Sequence, residues 1–137
     1  MGKFIDDFIK HNEYVFEFRK QVMDDTTNAD KNFKQVKEFL IECNYNPAVG
    51  VELASLLQLL DKPENLSDFE LGDIRRLFLS LIKLQSDNLD AYLEAGHFEW
   101  AVMDNSERAA TIAQEGIKRG KEKIKELERL LLSIEQD

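Results

Sequence analysis

Glu94-Ala95-Gly96-His97 sets a carboxylate and an imidazole one helical turn apart. Helices in di-iron bundles present two ligands to metal with this spacing, and such a centre needs a second Glu-x-x-His and two further glutamates. The only other histidine is His11, and Phe8 occupies the position three residues before it, where the acid would stand. A metal site is therefore not expected, and no cofactor is implied. Cys43 is the only cysteine, which excludes an internal disulfide and any cysteine-ligated zinc or iron–sulfur centre. It lies on an apolar helix face with no base nearby in sequence, where a thiol is usually inert packing. The chain has no Gly-x-Ser-x-Gly elbow, no phosphate-cradling glycine loop and no His-Glu-x-x-His. Nothing in these residues points to catalysis, so a non-enzyme is expected.

The C-terminal third offers surface for association instead. Lys118, Arg119, Lys121, Lys123 and Lys125 crowd one short stretch. They form either a solvated helix face or a docking site for an acidic partner. Through the same stretch and beyond it, Ile117, Ile124, Leu127, Leu131 and Ile134 recur at three-four spacing, as a helix–helix seam requires. Gly120 interrupts that seam, and Leu130 and Leu132 add apolar area outside it. This last helix either caps a core or mediates self-association.

The elements that carry these residues are helices. Apolar residues recur near a 3.6-residue period along nearly the whole chain, and no Asn-Gly or Asp-Gly hairpin signal appears. A first helix is predicted over about 3–23, with Phe4, Phe8, Val15, Phe18 and Val22 lining one face. Ile5, Ile9 and Phe16 widen that face until burial against more than one neighbour is expected. After a polar break at 24–28, a second helix carries Phe33, Val36, Phe39, Leu40 and Cys43. Asn46 before Pro47 reads as an N-cap followed by proline at the first helical position, opening a third and strongly apolar helix over 47–60. A loop is expected at 61–66. Ser67 and Glu70 have the spacing of a capping box, with Leu66 and Leu71 as its hydrophobic staple, so a fourth helix should open there and run through Leu84. A fifth follows over 89–103, and a sixth opens at 104–107 and runs to about Ile134.

The stretch from Leu81 to Tyr92 resembles the junction between two tetratricopeptide repeats: a helix ending in leucines, a polar turn at Ser86-Asp87-Asn88, then an acid, alanine and a bulky aromatic at Asp90, Ala91 and Tyr92. Through residue 117 the likeness continues, with Ala95-Gly96, Ala109 and Gly116 at the family's small positions, where helices approach closely. Ala113 stands where that family has an aromatic, the interval from Gly96 to Ala109 is one residue longer, and no proline ends the unit. The resemblance implies that first helices line a concave groove, with Leu93, His97 and Trp100 facing it. Packing of Trp100 on a neighbouring helix is the alternative. The lysines and asparagines of the family's chaperone-tail clamp are absent, so that partner is not implied.

A chain of 137 residues can bury roughly 70% of its unfolded surface, and with 43% hydrophobic and 33% charged residues it should fold without staples. Its net charge of −9 disfavours phosphate backbones and hence general nucleic-acid binding. No apolar run is long enough for a membrane span and no signal-peptide pattern opens the chain, so a cytoplasmic protein with no membrane partner is expected. Gly2 suggests myristoylation, but Asp6 stands where that motif takes Ser or Thr. The expected architecture is one all-α domain over 1–137 of about six antiparallel helices, paired as 1–46, 47–86 and 87–137. Either a tetratricopeptide-like hairpin array or a compact helical bundle would satisfy it. A stacked array would need polar outer faces at its ends. The expected function is a non-enzymatic protein–protein interaction module, adaptor or chaperone-like, that takes a peptide or helix in a groove. The alternative is a structural, self-assembling protein that forms a homodimer through Ile124, Leu127, Leu131 and Ile134. A third possibility is a metal enzyme with Glu94 and His97 as ligands.

Overall fold

The computed structural model describes every residue except Met1, residues 25–27 and Asp68, with Asp24 described by its backbone. The described chain is all-α: seven α-helices and no strand. They are α1 (Lys3–Asp24), α2 (Ala29–Glu42), α3 (Gly50–Leu57), α4 (Pro63–Leu66), α5 (Leu71–Leu84), α6 (Leu89–His97) and α7 (Ser106–Glu135). A 3₁₀ turn, Pro47–Val49, leads into α3, and a π-helical turn, Phe98–Val102, continues α6. No helix among the described residues is long and apolar enough to cross a membrane.

Contacts divide the chain after Ile74, inside α5, into a unit over 1–74 and a unit over 75–137. The division does not coincide with the pair boundaries at 46/47 and 86/87 suggested by loop positions. Each unit has its own apolar interior, and no loop marks the change from one to the other.

In the first unit, α1 and α2 pack on α3. Val22, Ala29, Phe33, Val36, Leu56 and Leu60 form one cluster, and Val15, Phe39 and Val49 form a second, bridged by Phe18 and Leu40. Phe39 stacks on Phe18, the ring centroids 4.1 Å apart and the planes within 8° of parallel. Arg19 pairs with the buried Glu52 across α1 and α3. The Asn46 side chain accepts from the Ala48 amide at 3.0 Å, so the expected N-cap forms, with Pro47 at the first helical position. Asn28 likewise caps α2 through the Lys31 amide.

Three local expectations are corrected. The wide stripe on α1 is covered only at Val15, Phe18 and Val22, while Phe4, Ile5, Phe8, Ile9 and Phe16 stay exposed. Among the described residues, α1 packs through that one face on α3 and the 3₁₀ turn before it, which covers one side of the helix and not a second. The loop at 61–66 contains one helical turn, α4, because Pro63 is pre-set for a first helical position. Helix α5 starts at Leu71, not at Ser67: the Ser67 hydroxyl donates to the Glu64 carbonyl and closes α4. The Asp73 carboxylate accepts from the Glu70 amide at 2.9 Å, the reach-back half of a capping box displaced three residues along the chain. Leu66 and Leu71 are exposed, so they form no staple, while Phe69 packs on the first cluster. Asp68, in the middle of the expected box, and most of the 24–28 break lie outside the described residues.

In the second unit, the remainder of α5 accompanies a helical hairpin of α6 and α7, the most extensive pairing among the described residues. Phe78 and Phe98 meet at 5.6 Å, and Leu81, Ala91, Tyr92 and Ala95 are buried.

Candidate functional site

Helix α6 begins where Asn88 accepts from the Asp90 amide at 3.1 Å, the N-cap arrangement that satisfies an orphan donor. It sorts its residues by face. Ala91, Tyr92, Ala95 and Phe98 turn inward, while Leu89, Leu93, Gly96, His97 and Trp100 fall along the opposite side. The π-helical turn at Phe98–Val102 inserts extra backbone into the end of this helix. Such bulges can re-aim side chains at functional positions. Trp100 sits within this turn and is 62% exposed.

A buried ionic cluster stands behind the turn. Glu99 is 2% exposed, and Arg75 on α5 grips it with two hydrogen bonds, Nε to Oε1 at 2.6 Å and Nη2 to Oε2 at 2.8 Å. Arg108 on α7 approaches Oε1 at 3.2 Å. The carboxylate holds the Arg75 guanidinium above its ordinary pKa. A buried carboxylate needs such partners, and the bidentate grip also fixes orientation. The cluster therefore locks the turn that carries Trp100 to both flanking helices. Sequence reasoning missed this role; the available signal was one acid inside the apolar run Phe98-Glu99-Trp100-Ala101-Val102.

Helix α7 is capped by Asn105, which accepts from the Arg108 amide at 3.0 Å after Asp104 turns the chain at φ 52°. Its approach to α6 depends on small residues. A Cβ on Gly116 would stand 2.8 Å from the Tyr92 Cβ, closer than van der Waals contact permits. At Gly120 it would stand 3.3 Å from Leu89 Cδ1, and at Gly96 3.8 Å from the Ala109 carbonyl oxygen. The positions marked small in sequence thus lie along the α6–α7 hairpin.

Between these two helices opens a groove of about 670 Å³ with an almost wholly apolar lining. Leu89, Leu93, His97 and Trp100 form its α6 wall, and Ala110, Ala113, Ile117 and Ile124 belong to its α7 wall. Leu93, His97 and Trp100, singled out from sequence, stand together in one wall. Leu89, Ala110 and Ala113 do not stand out in sequence as groove residues. Their signal was the small-residue periodicity of Ala109, Ala113, Gly116 and Gly120, in which Ala113 had registered only as a missing aromatic.

Of the five seam residues, Ile117 and Ile124 line the groove, while Leu127, Leu131 and Ile134 lie farther along α7 and are exposed. Every residue from 121 to 137 is exposed, and Leu130 and Leu132 add apolar side chains to this surface beside the seam. The basic stretch is partly paired: Arg119 with Glu115 at 3.4 Å, and Lys123 with Glu126 at 3.4 Å and Asp87 at 3.7 Å.

His11 hydrogen-bonds Asn46 at 3.1 Å within the first unit, and His97 belongs to the groove wall of the second. Among the described residues no three of His, Cys, Asp and Glu gather as a metal ion would require. Burial, with the Glu42 charge beside it, pushes the Cys43 thiol up and away from the reactive thiolate. No family model, curated protein or solved structure matches the chain.

Proposed function

We propose that this chain is a non-enzymatic protein–protein interaction module, adaptor or chaperone-like and cytoplasmic, that receives an amphipathic helix or peptide in the α6–α7 groove. The observation that carries this is the groove itself: concave, apolar and open, with an exposed tryptophan at one end and small residues along one wall. Monomeric proteins seldom leave contiguous apolar surface of this kind uncovered unless something binds there. The wall of alanines and glycines leaves room for a third helix at close range, and the tryptophan has the size and amphipathic character of an interface anchor. The tetratricopeptide-like pattern over 81–117 agrees with this use of the first helix of a hairpin. Glu99 and its two arginines hold the anchor's turn in place before any partner arrives, which lowers the ordering cost of binding.

The test is comparative capture from the native extract with the wild-type chain and Trp100→Ala. The wild type should recover a partner that the variant loses, roughly a hundredfold in affinity for an anchor worth about 2–3 kcal/mol, while helical circular dichroism is unchanged. Equal recovery by both would remove the groove as the binding surface.

A further inference from the structure

We infer that the exposed end of α7 pairs antiparallel with the same helix of a second copy, setting the second copy's Leu131 against Gly120 and the Leu89 side chain that covers it, at the near end of the groove. This rests on the reading of the groove as a helix acceptor and names one occupant for it.

Three features of α7 point to this occupant. The first is length. Helix α7 spans 30 residues, about 45 Å, whereas α6 with its π-helical turn is only roughly 20 Å long, so a projecting stretch of similar length remains. That stretch carries Ile124, Leu127, Leu131 and Ile134, each more than half exposed. The second is size. The seam is bulky at every position from Ile117 to Ile134 except Gly120, where Leu89 Cδ1 lies 3.3 Å from a would-be Cβ. A parallel pairing would set Gly120 against Gly120, a layer to which neither copy's α7 contributes a side chain. An antiparallel pairing can set Leu131 against Gly120, Ile134 against Ile117 and Leu127 against Ile124, each twice about a two-fold axis. Every layer then holds a bulky seam residue, and the interface is closed and self-complementary.

The third is charge. In that register the flanking position of Lys121 faces Glu128 of the second copy, again twice, and the stem of Lys123 covers the exposed Leu130. Sliding the helices by one heptad towards their N-termini would bring Lys121 against its own counterpart. Charge therefore disfavours that slipped register. The far end of the groove, with His97 and Trp100, stays open in this arrangement.

Sedimentation equilibrium on the full chain reads the result. The wild type should show a concentration-dependent mass rising from 15.9 kDa towards twice that value. Leu131→Asp should remain monomeric, with helical circular dichroism kept because Leu131 is exposed. Lys121→Glu alone and Glu128→Lys alone should each weaken the dimer roughly tenfold, since two facing pairs become repulsive. The double variant K121E/E128K should return the affinity to near the wild-type value, which a parallel pair or the slipped register would not do. A wild-type chain that stays monomeric, a dimer indifferent to Leu131→Asp, or a double variant no better than the singles would each overturn the inference. Trp100→Ala should leave the dimer intact. Loss of external capture in that variant while mass is unchanged separates the groove reading from this one.

Discussion

At the scale of single residues, the second unit turns on which positions lack a side chain and why. Gly116 is small because Tyr92 occupies the space a Cβ would need, and Tyr92 is itself buried. Gly96 has only ordinary contact at 3.8 Å beyond its own helix. Gly116→Ala should therefore destabilise the chain by about 1–3 kcal/mol, the range for overpacking a close contact. Gly96→Ala should leave it unchanged or more stable by up to about 1 kcal/mol, the gain expected when alanine replaces glycine in a helix. Urea unfolding followed by circular dichroism compares the two, and equal losses would mean that α6 and α7 do not approach as described. Both glycines were legible as small positions. Their difference was not, because sequence marks a missing side chain without saying what fills its place. Glu99 shows the reverse limit: its type was visible, but its value depends on arginines 24 residues before it and nine after it.

At the scale of elements, hydrophobic period located the major helices, while several ends followed local hydrogen bonding. Asn46 and Pro47 opened the segment leading into α3 as expected, since cap and proline act on adjacent amides. Ser67 and Glu70 did not open α5, because Ser67 was already engaged in closing α4 and Asp73 supplied the reach-back contact. Asp30, in the first turn of α2, holds the segment before and within α4. It accepts from the Asn65 side chain at 2.8 Å and from the Lys62 and Asp61 amides at 3.1 Å. The Asn65 hydrogen bond, aided by those amides, lowers the Asp30 pKa against the opposing effect of desolvation. A carboxylate whose folded pKa lies below its unfolded one contributes stability that is complete above about pH 4 and is lost as pH falls through the folded value. The melting temperature of Asp30→Asn should accordingly lie below that of the wild type at neutral pH, with the gap narrowing in acid below pH 4. A gap independent of pH would show that Asp30 acts by packing alone. The stripe on α1 illustrates what periodicity leaves out: it reports which face is apolar and says nothing about whether a neighbour exists to cover it.

At the scale of the whole molecule, the all-α class followed directly from a period near 3.6, yet the division after Ile74 could not be read from loops because it falls inside a helix. The site was legible in part. Leu93, His97 and Trp100 stand in one wall because residues four and seven apart share a helix face, whereas the opposing alanines depended on how α7 crosses α6. The groove's role as the receiving surface is tested most directly by a photoreactive residue placed at Leu93, with Leu79 on α5, also exposed, as the control position. Each chain would be irradiated in native extract and its adducts mapped by mass spectrometry. The probe at Leu93 should form a discrete adduct with the apolar face of one helical segment, and the control should not. Adducts equally abundant from both positions, or spread over many unrelated proteins, would contradict the assignment of the α6–α7 groove as the binding surface.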